Sequence, residues 1–172
     1  MSEDRTRRAA HEAGHALVSW LLGYRFRASL EITEESDGHC DTLSRHPLPP
    51  ADELLIFLAG PVASEHAGDE APWIQEDTVV ASKLAAQVNP EDPYRAFADG
   101  VDQVRALLRY PRLRQAHEAL VRALQTRGTL GGAEAEALMV GALARRPGRS
   151  ARSARCQNDN RHTSTSEPTG DR

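Results

Sequence analysis

The sequence predicts a mainly α-helical fold with a small β-ribbon. Three observations point there. Only 5% of the residues are aromatic while Ala and Leu are plentiful, which favours helix over sheet. Apolar residues recur at helical spacing through most of the first 145 positions. Strand-like alternation is confined to one stretch near residue 30. With 172 residues, 40% hydrophobic and 27% charged, the chain suffices for one ordinary domain with polar ends.

Residues 2–22 form the first predicted helix. Ser2 is placed to cap it, and Glu3 and Asp4 suit the positive end of its dipole. Ala10, Ala13, Leu17 and Leu21 mark its inward stripe, and Gly23 stops it. Residues 26–33 carry Phe26, Leu30 and Ile32 at alternating positions, the pattern of a short strand. Asp37-Gly38 signals a tight turn, with residues 39–44 returning as a second strand. His46-Pro47-Leu48-Pro49-Pro50 is a loop, because proline withholds backbone donors.

A second helix starts near Ala51, carries Leu54, Leu55, Phe57 and Leu58, and is expected to kink or break at Pro61. A third follows Asp77, with Val79, Val80, Leu84 and Val88 inward, and ends at Pro90. Its stripe of Val80, Leu84 and Val88 is expected to pack on the first helix around Val18 and Leu22. Residues 93–109, 112–127 and 132–144 predict three more helices, the last two separated by Gly128 and Gly131-Gly132. Composition changes after Arg146. Residues 147–172 hold almost nothing apolar, so a folded domain over 1–146 and a disordered polar tail over 147–172 are predicted. Five arginines in that tail read as a solvated end.

A net charge of −4 is too weak to argue for nucleic acid or a membrane surface. No run of about 18 apolar residues occurs, so no membrane span is predicted. The acidic start, Met1-Ser2-Glu3-Asp4, lacks the apolar centre of a signal peptide. Cys40 and Cys156 make no CxxC pair and read as reduced thiols, which predicts a cytoplasmic location.

The chemistry concentrates at His11-Glu12-Ala13-Gly14-His15. Histidines four apart on a helix share one face and can share one ion. Glu12 need not bind that ion. It can take a proton from an attacking water and pass it to a leaving amine, while zinc lowers the pKa of its water to about 7. Two histidines leave zinc under-coordinated, so a third ligand must come from elsewhere. Asp77 and Glu65 both compete for that place, and Asp77 also reads as a helix N-cap. His39, His46 and His66 read as surface residues, His117 as solvated or at the core edge, and Cys40 as a small packing residue.

Several segments in order resemble the peptidase domain of FtsH-type proteases. Ala9-Ala10-His11-Glu12-Ala13-Gly14-His15-Ala16-Leu17-Val18 resembles its start, and Leu58-Ala59-Gly60-Pro61-Val62-Ala63-Ser64-Glu65 its Leu-Ala-Gly helix. Glu76-Asp77-Thr78-Val79-Val80-Ala81-Ser82-Lys83 resembles the segment that delivers an aspartate ligand. Ala116-His117-Glu118-Ala119-Leu120 through Thr129-Leu130-Gly131-Gly132 resembles the C-terminal helical hairpin. The resemblance spans about residues 1–145. It implies a zincin-like helical peptidase holding one zinc through His11, His15 and Asp77, with Glu12 catalytic.

Departures are equally specific. The region between His15 and Leu58 is shorter than in the family, and Pro72-Trp73-Ile74-Gln75-Glu76 replaces a Gly/Ser-rich approach to the aspartate. No GxxxxGK[ST] phosphate loop occurs, so no ATPase module lies within these residues. The expected activity is therefore hydrolysis of unfolded or flexible polypeptides, lying extended along the strand near residues 28–33. The expected partners are the substrate polypeptide and either further copies of the chain or a separate AAA ATPase. The rival reading is a catalytically silent zinc-binding module that docks on such an ATPase.

Overall fold

A computed structural model describes residues 3–26, 29–31, 42–43, 47–70, 73 and 76–145. The described residues are mainly helical: α1 (Glu3–Leu21), α2 (Pro50–His66), α3 (Glu76–Val88), α4 (Pro93–Arg109), α5 (Pro111–Arg127) and α6 (Gly132–Ala144). Local chemistry sets their ends. Gly23 adopts a left-handed φ of 86° just after α1, and the Tyr24 N–H returns to the Ser19 carbonyl at 2.9 Å. Asp92 caps α4 by accepting from the Arg95 N–H at 2.9 Å, with Pro93 at the first helical position. Gly128, at φ 79°, closes α5.

The second helix lies at the centre. Every residue from Leu58 to Ser64 is buried, so α2 has no polar face over that stretch. Helix α1 packs along α2 and α5, α3 against α2 and α4, and α6 against α5. The α1–α2 contact is backbone-close. A Cβ added to Gly14 would lie 2.5 Å from the Ala59 carbonyl oxygen and 2.8 Å from the Ala63 Cβ. Leu17, Leu58, Leu120, Leu124 and Met139 fill the core around this contact. Truncating Leu17 or Leu58 to alanine should cost about 2–5 kcal/mol.

Several expectations need correction. Helix α2 runs through Pro61 without a break: Pro61 removes one N–H, but Leu58, Ala59, Val62 and Ala63 are all fully buried and hold the flanks in place. In α3 the inward residues are Ala81, Leu84 and Ala85, whereas Val79 and Val88 are exposed. The reason is that α3 packs between α2 and α4 and not along α1 around Val18 and Leu22. Leu21 is also exposed, since α1 has reached its last turn there.

The ribbon differs as well. Strand β1 (Arg25–Phe26) pairs antiparallel with β3 (Thr42–Leu43), while β2 (Ser29–Glu31) pairs antiparallel with β4 (Thr129–Gly131). The stretch 26–33 therefore divides between two sheets, and its longer pairing is with the α5–α6 connection. Ser2, the Asp37-Gly38 turn, His39, Cys40, His46, Cys156 and the segment 147–172 lie outside the described residues. Among the described residues, no helix is long and apolar enough to cross a membrane.

Candidate metal centre

Helix α1 carries His11 and His15 on the side that faces α2, and both are nearly buried. Their rings meet edge to face, with centroids 4.7 Å apart. Asp77 enters from the first turn of α3. Its Oδ2 lies 2.7 Å from His11 Nε2 and 3.2 Å from His15 Nε2, and the two Nε2 atoms are 3.0 Å apart. These three residues form a group whose ligand atoms could hold a metal ion. Glu65, the competing ligand, is not among them. It forms a two-pronged ion pair with Arg105 of α4, at 3.0 and 2.9 Å.

The far sides of both imidazoles are engaged by α2. His15 Nδ1 donates to the Ile56 carbonyl at 2.7 Å, and His11 Nδ1 lies 3.1 Å from Ser64 Oγ. A carbonyl only accepts, so His15 carries its proton on Nδ1, and the neutral ring turns a bare Nε2 lone pair inward. Ser64 can receive the His11 Nδ1 proton in the same way. Three acceptors would then converge on one point, an arrangement that is repulsive unless a cation or a proton sits among them. A four-coordinate zinc with N and O ligands keeps neighbouring ligand atoms roughly 3.3 Å apart. The observed 2.7, 3.0 and 3.2 Å separations are all shorter than that spacing, the His11–Asp77 pair most of all. Two imidazole nitrogens and a carboxylate oxygen so placed could hold a metal ion once they move slightly apart.

Protonation follows the same contacts. Burial pushes the Asp77 carboxyl up, but the two imidazoles outweigh it and hold the group well below the usual carboxylate range. Burial also works against a charged His15, yet the Asp77 bond and the nearby Glu12 and Asp77 charges win, and its pKa is raised. For His11 burial prevails over the Asp77 bond and the pKa is lowered.

Glu12 is 3% exposed, on the same turn as His11. His66 is exposed and bonds its own helix at the Val62 carbonyl. His117 is buried, not solvated: its Nε2 donates to the Ala10 carbonyl at 3.0 Å, and burial lowers its pKa. It ties α5 to α1 one residue before the first candidate ligand.

Sequence reasoning missed Ser64 and the Ile56 carbonyl. A signal existed: Ile56, Gly60 and Ser64 recur every fourth residue and share a face of α2.

No protein-family model and no curated protein matches this chain.

Proposed function

We propose that this chain is a zinc-dependent endopeptidase, built like the peptidase domain of FtsH-type proteases, that hydrolyses unfolded or flexible polypeptides. One observation carries the reading: two imidazole Nε2 atoms and an Asp77 carboxylate oxygen lie within 3.2 Å of one another, with Glu12 at the position after His11 on the same helix turn. When bound, zinc supplies a Lewis acid and a water acidified to a pKa of about 7.

The chain's own residues do the rest. The Ile56 carbonyl and Ser64 Oγ fix ring orientation, so His11 and His15 present Nε2 without searching rotamers. Asp77 contributes the negative charge that offsets a divalent cation. Glu12 takes the proton of the attacking water on its carboxylate and returns it to the departing amine. Strand β2 packs against α1 and has β4 on one edge, and its other edge is proposed to take substrate as an added strand. A flexible polypeptide, or one delivered by an ATPase, can reach that edge as an extended strand.

The test is metal analysis joined to cleavage of an unfolded polypeptide. Wild type is expected to hold about one zinc per chain and to cleave, and Glu12→Gln to keep the zinc and lose at least ~100-fold in rate. Zinc without cleavage in the wild type would assign a binding module. Full stoichiometry in a His11→Ala/His15→Ala double variant would sink the site.

A further inference from the structure

Gly60 stands between Ile56 and Ser64 on the face of α2 that meets the two histidines. A Cβ built on it would lie 2.4 Å from His15 Nε2, 2.5 Å from His11 Nε2 and 2.7 Å from His11 Cε1. Those distances are far inside van der Waals contact. The first two concern the same nitrogen atoms that converge with Asp77. The backbone of Gly60 therefore forms one wall of the space among the ligand atoms, and the smallest side chain would enter that space.

The imidazoles cannot simply retreat. Each is held on its far side one turn from Gly60, His15 by the Ile56 carbonyl and His11 by Ser64. Gly60 has no left-handed φ, so its backbone conformation does not call for glycine. It lies inside a helix, where alanine would be favoured by propensity. What the position requires is empty volume in front of two nitrogen atoms.

We propose that Gly60 is a positioning residue for the metal, whose missing side chain keeps the coordination space open. This rests on the metal-site reading above.

The experiment compares Gly60→Ala with Gly100→Ala in the full chain. The second is an overpacking control, since its Cβ would meet Leu58 Cδ1 at 2.7 Å, on the α4 side of α2. Both are titrated with Zn2+ against a chromogenic chelator, and with Co2+, whose visible bands report coordination geometry. Gly60→Ala is expected to lose ~100-fold or more in affinity, as for loss of support to the ligand rings, together with the four-coordinate cobalt bands. Gly100→Ala should keep both while melting earlier. A wild type that binds neither ion would refute the metal site itself. A binding wild type with an equally tight Gly60→Ala would overturn the role of Gly60 alone.

A thermal cycle covers the case in which Gly60→Ala folds poorly. The same substitution placed on His11→Ala/His15→Ala should lower the melting temperature far less, because the methyl then has room. Equal losses in both backgrounds would place the clash elsewhere and overturn the inference.

Discussion

Replacing Asp77 by asparagine keeps the shape of the side chain and removes its charge. Asp77 is the one anionic member of the three-residue cluster, and its oxygen lies within 3.2 Å of both histidine nitrogens. Its carboxyl is held well below the usual range, so at neutral pH it is fully ionised and no proton need be displaced from it. Residues that merely support ligands cost 10–100-fold in affinity when lost. A ligand should exceed that, so Asp77→Asn is expected to weaken zinc binding at least ~100-fold, about 2.7 kcal/mol. Glu65→Gln is the control. Its ion pair with Arg105 is partly exposed, at 38% for the Glu65 side chain, and contributes no more than about 1 kcal/mol to stability, and zinc affinity should be unchanged. Competition titration against a chromogenic chelator at constant pH and salt measures both, with apo melting curves run in parallel. A zinc affinity for Asp77→Asn within tenfold of wild type, or a larger loss in Glu65→Gln, would refute the reasoning.

The remaining predictions concern groups around the ligands. Ser64→Ala should reduce metal affinity by ~10–100-fold because the His11 ring loses its oxygen partner; an unchanged chelator titration would show that packing alone orients the ring. His117→Leu removes the second donor to the Ala10 carbonyl, which keeps its partner within α1, and should cost about 0.5–1.5 kcal/mol in urea unfolding. The pH dependence has a definite sign. Folded His117 has a pKa below the ordinary 6.5, so beneath that pH the unfolded chain gains a proton that the folded one refuses, and stability falls as pH falls. His11 acts in the same direction and His15, with its raised pKa, in the opposite one, so the effect is read as a difference: in chelated protein His117→Leu should lose stability less steeply than wild type as pH falls below 6.5, and an unaltered slope would contradict the assignment.

Much of the helical framework was legible because its punctuation is local. Pro93, Pro111, Gly23 and Gly128 stand at helix ends, and the helices they bound match the expected spans within one or two residues. The HExxH spacing likewise placed His11 and His15 together without tertiary knowledge. Strand β4 was not legible, because Thr129–Gly131 is three residues between glycines and becomes a strand only through its pairing with Ser29–Glu31. Val79 and Val88 were misplaced inward because helical periodicity marks a stripe but does not say which neighbour covers it. The helices that cover α3 are α2 and α4. Asp77 could not be separated from Glu65 by spacing, and it took the Arg105 pair on α4 to remove Glu65 from contention. A backbone carbonyl such as that of Ile56 leaves no trace in the residue type at all.

The candidate ligands come from two chain segments far apart in sequence, His11 and His15 on one helix and Asp77 on another at a separation of 66 from His11. The helices that carry them must be docked on α2 before the atoms can meet. An ion held there closes a long loop in the native state and finds no equivalent grip in an unfolded chain. Its stabilising effect should then fall on the rate at which the assembled protein comes apart, leaving the speed of assembly nearly untouched. Metal depletion would act on such a molecule as a timer, shortening the life of each folded copy while new copies continue to fold as fast as before.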